Sequence, residues 1–158
     1  MIQTGEPAPD FTLYDSDKNK LTLSGQKGNN VLLLFFPLAF TSTCTAELCS
    51  VRDNISQYNN LNAKVFGISV DSVHTLARYK QDQRLNFSLL SDFNKEVSTA
   101  YDSIYEKFGL DMKGVSKRSA FLIDREGLVQ YAEVLENASE QPNFTAINKK
   151  LEEIMAKN

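Results

Sequence analysis

The chain has 158 residues, 42% of them apolar and 23% charged, with a net charge of −3 and a pI near 5.2. One domain spanning 1–158 is long enough to bury a sizeable core, and a mildly acidic chain without a basic cluster argues against nucleic-acid binding. The longest apolar run, residues 31–40, is too short to cross a bilayer, and the polar GEPAPD ahead of it is unlike a secretory leader, so a soluble cytoplasmic protein is expected.

Residues 1–9 are polar and proline-containing and read as extended coil. Residues 11–14 and 20–23 alternate apolar and polar side chains around the turn-prone DSDKN, which predicts an N-terminal hairpin covering one sheet edge. SGQKGNN (24–30) is a loop. The run 31–36 is a buried strand, and Pro37 ends its ladder because it has no N–H to donate. After a Thr/Ser-rich turn, Leu48, Val51, Ile55 and Tyr58 recur at helical spacing, predicting a helix to about Tyr58. KVFGISV (64–70) is a second buried strand. Strand, helix, strand implies a right-handed crossover and a parallel pair.

Residues 72–84 read as a second helix, 87–90 as a short strand, 97–105 as a third helix and 108–117 as a loop. A strand at 120–123, a turn at DREG and a strand at 128–134 form a hairpin. The tail from Gln141 carries Phe144, Ile147, Leu151 and Ile154 on one helical stripe. The sum is an α/β sandwich with a central mixed sheet and helices on both faces.

The stretch of greatest chemical interest is Pro37-x-x-x-Thr41-x-x-Cys44. It puts Cys44 in the first turn of a helix. The N–H groups there lack partners within the helix, and the positive end of the dipole favours a thiolate, the reactive form of cysteine. Thr41, Ser42 and Thr43 are all suited to cap that helix. A lone cysteine in a strand–helix unit is more often an inert buried residue, so the cysteine alone decides nothing.

The segment PLAFTSTC resembles the P-x-x-x-T-x-x-C motif of peroxiredoxins, the thiol peroxidases of the thioredoxin fold. GEPAPDFTL, FGISVDS and KRSAFLIDREGLV resemble other parts of that family in the same order, so the likeness spans nearly the whole chain. It implies a thioredoxin-like fold and reduction of hydrogen peroxide and organic hydroperoxides through a Cys44 sulfenic acid. By the same likeness Thr41 hydrogen-bonds the peroxide, Pro37 walls the pocket, and the Arg118 fork holds sulfur and peroxide oxygen together. Backbone N–H groups of Thr43 and Cys44 are the expected donors to the oxygen under attack. No haem, flavin or metal is implied; thioredoxin, glutaredoxin or a small thiol is the expected reductant, and a homodimer the expected assembly.

Glu47 follows Cys44 by one turn. A bare carboxylate there opposes a thiolate, so Glu47 is read as orienting the arginine cluster, with Arg52 placed to neutralise it. Cys49 lies five residues from Cys44. In a regular helix that is a rise of about 7.5 Å and roughly 8–9 Å between Cα atoms, beyond the limit of about 7 Å for a disulfide. The CTAELC spacing resembles the bacterioferritin-comigratory-protein branch, in which the second cysteine resolves the first. FFPLAFTSTC resembles the one-cysteine branch of alkyl hydroperoxide reductase E. A resolving Cys49 therefore requires local unwinding, and an unreactive Cys49 is the competing reading. A redox sensor or chaperone using the same cysteine is the alternative function. A Cys–His hydrolase using His74, the sole histidine, is disfavoured because His74 falls at a helix start, where a solvated side chain is usual.

Overall fold

The computed structural model describes residues 2–157; Met1 and Asn158, the ends of the expected domain, lie outside that range. A seven-stranded sheet is built in the order β2-β1-β5-β4-β3-β8-β9 from β1 (Thr12–Asp15), β2 (Lys20–Thr22), β3 (Asn30–Phe35), β4 (Ala63–Ser69), β5 (Ser88–Ser91), β8 (Ser119–Ile123) and β9 (Val129–Val134). β3, β4 and β5 run parallel, while β8 pairs antiparallel to β3 and β9 to β8. The hairpin β1–β2 lies on the β5 edge, as its alternating pattern predicts.

From Val31 onward β3 is apolar without interruption because both of its faces are covered. Leu32, Leu34 and Phe36 face α1 (Ser42–Asp53), α2 (Ile55–Asn60), α3 (Val73–Gln83) and α5 (Phe144–Ala156), meeting Leu48, Val51, Tyr58, Leu76, Tyr79, Ile147 and Leu151. Val31, Leu33 and Phe35 point the other way, into a second core with Phe11, Leu23, Phe121 and, from the α4 region (Glu96–Ala100), Val97 and Tyr101. Helices thus cover both faces of a mixed sheet, the thioredoxin-like arrangement. Gly67 on β4 is required by this packing: a Cβ there would meet Leu89 Cδ2 at 2.7 Å and Phe36 Cε1 at 3.3 Å.

Three expectations are corrected. The long helix to Tyr58 is broken at Asn54, which separates α1 from α2. The helix at 97–105 stops at Ala100. Asp102 takes a left-handed φ of 50°, and Ile104–Tyr105 (β6) instead pairs with Val115–Ser116 (β7) inside the expected loop. Asp92 holds α4 from outside, its two carboxylate oxygens accepting from the N–H groups of Val97 and Ser98. Among the described residues no helix is long and apolar enough to cross a membrane.

Candidate active site

The site lies where β3 gives way to α1. Phe36 N–H still donates to Ile68 C=O at 2.9 Å, continuing the β3–β4 ladder, and the buried Pro37 ends it. The chain then turns through Phe40, whose φ of 69° is left-handed. That conformation is uncommon for a bulky side chain. Phe40 packs against Tyr79 of α3 with ring centroids 4.9 Å apart and the ring planes inclined at 58°, and the Tyr79 hydroxyl lies 2.9 Å from Thr45 Oγ1.

Thr41 occupies the N-cap position of α1, in extended geometry, but its side chain does not cap the helix. Its hydroxyl instead donates back to Leu38 C=O at 2.8 Å. The hydroxyl oxygen keeps its acceptor capacity. The first intrahelical bond runs from Thr45 N–H to Thr41 C=O, so the N–H groups of Ser42, Thr43 and Cys44 precede the helical ladder.

Cys44 is completely buried, as a free thiol. Arg118, in the residue just before β8, reaches it across the sheet: Nη2 lies 3.0 Å from Cys44 Sγ. The same guanidinium donates through Nη1 to Glu47 Oε1 at 2.6 Å and through Nε to Ala138 C=O at 2.9 Å. Burial acts to lower the Arg118 pKa, but adjacent Cys44 and Glu47 outweigh it and hold the value above the ordinary one. Burial likewise pushes the Glu47 carboxyl up to about 7, against the downward pull of Arg118. Glu47 Oε2 is buried without a hydrogen-bond partner, which is consistent with the raised value.

Sulfur, guanidinium and carboxyl therefore form one buried row, and Glu47 lies where the turn spacing placed it. Arg52 does not neutralise it, contrary to expectation. Arg52 reaches the other way, to Asp53 at 2.9 Å and Gln83 C=O at 2.6 Å. Cys49 also faces that side, half-buried, with its thiol 3.6 Å from Gln83 Oε1. Both cysteines are free and share α1. His74 is exposed on the first turn of α3, beside a groove with Tyr14 and Phe93.

Two contributors escape a reading of the sequence. One is the Ala138 carbonyl, since a backbone acceptor has no residue signature. The other is Asp71, just past β4, whose Oδ2 accepts from Ala39 N–H at 2.8 Å and from the Ser69 hydroxyl at 2.7 Å. Its position at the carboxyl end of the strand parallel to β3 was the available signal, because parallel neighbours end on the same side of a sheet.

Residues 4–132 match the AhpC/TSA family. Alkyl hydroperoxide reductase E of Mycobacterium tuberculosis is 39% identical over 137 residues, covering 85% of this chain and 86% of that protein. The crystal structure of peroxidoxin BcpB from Mycobacterium tuberculosis superposes with a TM-score of 0.83 at 28% identity, covering 100% of this chain and 99% of the other. The reduced 2-Cys peroxiredoxin of Plasmodium vivax gives a TM-score of 0.84 at 28% identity, covering 98% and 97%.

Proposed function

The chain belongs to the AhpC/TSA family of peroxiredoxins and is a thiol-dependent peroxidase, and from that premise we propose that Cys44 is its peroxide-reducing residue. The thiolate attacks the distal oxygen of a hydroperoxide. An S–O bond forms, the O–O bond breaks, and the departing oxygen leaves as water or alcohol with the peroxide's proton. Cys44 is left as a sulfenate, which takes up a proton from solvent to become the sulfenic acid. The single observation carrying this reading is the Arg118 Nη2 to Cys44 Sγ contact at 3.0 Å inside a buried row. A fixed charge there stabilises the charge that builds on the breaking O–O bond. The N–H groups at the start of α1 add donors, the Thr41 hydroxyl oxygen accepts from the peroxide, and Pro37 shields the sulfur.

The test is the loss of the Cys44 thiol on mixing reduced protein with hydrogen peroxide, followed by stopped flow and mass spectrometry. Oxidation far faster than that of free cysteine, abolished by C44S, is the expected result. A rate equal to free cysteine, or activity retained in C44S, overturns the assignment.

A thiol reductant completes the cycle, and thioredoxin, glutaredoxin or a small thiol each suits a Cys44 sulfenic acid. Supplying them one at a time and following turnover identifies the donor; one oxidation without recycling by any of them would favour a sensor. Cys49 is proposed to resolve the sulfenic acid. Both thiols are in α1, so the bond forms only when the first turns of the helix open. Peptide mapping after one equivalent of peroxide checks this, and a lasting sulfenate beside a free Cys49 refutes it. The reading takes the whole chain as one domain working in the cytoplasm, where such thiols stay reduced. Organic hydroperoxides as well as hydrogen peroxide fit the apolar Phe36, Leu38 and Phe40 around the loop. Phe40 is half exposed and suits a homodimer contact; a monomer mass by light scattering would exclude one.

A further inference from the structure

Thr41 can serve a peroxide only if its hydroxyl points the right way, and the structure shows what sets that direction. The hydroxyl donates to Leu38 C=O at 2.8 Å. The N–H of the same peptide group belongs to Ala39 and donates to Asp71 Oδ2 at 2.8 Å. A trans peptide is planar, with its C=O and N–H pointing in opposite directions. Fixing the N–H therefore fixes the C=O, and with it the Thr41 hydroxyl.

Asp71 is itself held on several sides. Ser69 Oγ donates to its Oδ2 at 2.7 Å, its own N–H donates to Ser69 Oγ at 3.2 Å, and Ser91 Oγ donates to its C=O at 2.6 Å. The ends of β4 and β5 thus anchor a carboxylate that reaches across to the loop after β3. The next residue, Phe40, sits at a φ of 69°, a conformation uncommon for a bulky side chain. Were the 38–39 peptide to flip, its N–H would face Thr41 and the acceptor for the hydroxyl would be gone.

Resting on the assignment of Cys44 and Thr41 above, we propose that Asp71 is a positioning residue for peroxide reduction, acting through the Leu38–Ala39 peptide to aim the Thr41 hydroxyl. The chain Thr41 O–H, Leu38 C=O, Ala39 N–H, Asp71 carboxylate runs in one donor-to-acceptor direction. Each link polarises the next. The Thr41 proton is drawn toward Leu38, and its oxygen lone pairs are left for the substrate. Both donors to the Asp71 carboxylate converge on a single oxygen, so an asparagine, which keeps one carbonyl oxygen, retains the pin.

The experiment compares D71A, D71N and T41V, with D71A/T41V as the double variant. Two rates are read at Cys44 of the reduced protein: oxidation by hydrogen peroxide, and carboxamidomethylation by iodoacetamide followed on the Cys44 peptide. The alkylation needs the thiolate but not a peroxide seat. D71A is expected to slow the peroxide reaction about tenfold or more, as a misplaced contact does, with alkylation of Cys44 little changed. D71N is expected to keep most of the peroxide rate. In the T41V background D71A is expected to add nothing, because coupled residues fail to add. The inference is overturned if D71A leaves the peroxide rate intact, if both rates fall together, if D71N fails as D71A does, or if the D71A and T41V losses multiply. Failure of the underlying assignment looks different: the wild-type Cys44 would itself react no faster than free cysteine.

Discussion

At the scale of single residues, the site turns on how Arg118 divides its donors. The guanidinium fork holds Cys44 Sγ, Glu47 Oε1 and Ala138 C=O with three separate nitrogens. A lysine ammonium, compact and without the planar fork, cannot reproduce that set. R118K is therefore expected to slow oxidation of Cys44 about a hundredfold, the usual effect of removing a preorganised donor, as measured by stopped flow at fixed pH. Glu47 makes a second prediction at this scale, concerning stability. Burial raises its carboxyl from 4.5 to about 7. Between those values the folded chain keeps a proton that the unfolded chain has released. Stability then falls as pH rises across that window and levels off above it. E47Q keeps an oxygen for Arg118 but cannot titrate. Urea midpoints taken from pH 4 to pH 8 should fall for the wild type relative to E47Q; parallel curves would mean that the Glu47 carboxyl titrates alike in the folded and unfolded chain.

Among elements, α1 carries both Cys44, the proposed peroxide-reducing residue, and the proposed means of resolving it. A regular helix keeps Cys44 and Cys49 apart, so closure of a disulfide waits on unwinding between them. Ala46 is exposed within that stretch. Replacing it with glycine costs the helix about 1 kcal/mol while leaving every contact of the buried row in place. A46G should raise the rate of Cys44–Cys49 closure up to about fivefold, the factor equivalent to that energy, with little change in the first reaction with peroxide. Acid-quench trapping and peptide mapping give both rates. An unchanged closure rate would place the unwinding elsewhere. The elements also show why some of the structure is legible in the sequence and some is not. The run at β3, the stripes of α3 and α5 and the β8–β9 hairpin each repeat their period often enough to announce themselves. β6 and β7 are two residues each and exist only through their mutual pairing, so residues 97–105 look helical until that long-range ladder is known. In the site, Pro37, Thr41 and Cys44 stand out because together they resemble one short family motif, and Glu47 because it follows Cys44 by one helical turn. Arg118 is legible only through its resemblance to a known motif, because 74 residues separate it from Cys44. Asp71 and the Ala138 carbonyl emerge only once the sheet brings strand ends together.

For the molecule as a whole, the central strand divides two cores, and the division has a functional consequence. Leu33 and Leu34 are adjacent, fully buried and the same size, yet they point into different cores. Leu34 shares its core with Cys44, Leu48, Tyr79 and Phe36, the residues that carry the start of α1 and the wall of the loop. Leu33 packs with Phe35, Phe121 and Tyr101 on the far side. Truncating either leucine to alanine removes similar apolar volume, so each variant should lose about 2–5 kcal/mol of stability. Either chain stays folded where the starting stability exceeds that loss, as it does over most of the usual range of about 5–15 kcal/mol. Their effects on chemistry should differ. A cavity beneath α1 lets the first turn settle, and a shift of that turn moves Cys44 relative to Arg118, which is anchored on β8 and the Ala138 carbonyl. A cavity on the far side leaves that relation intact, because the sheet lies between. L34A is therefore expected to lower the peroxide rate at Cys44 about tenfold or more, whereas L33A at equal destabilisation keeps it. The comparison requires urea melts to match the two stabilities and stopped-flow rates in native buffer. Equal losses of rate would mean that the sheet transmits packing defects from one core to the other, and that the site depends on the stability of the whole fold rather than on the face that carries it.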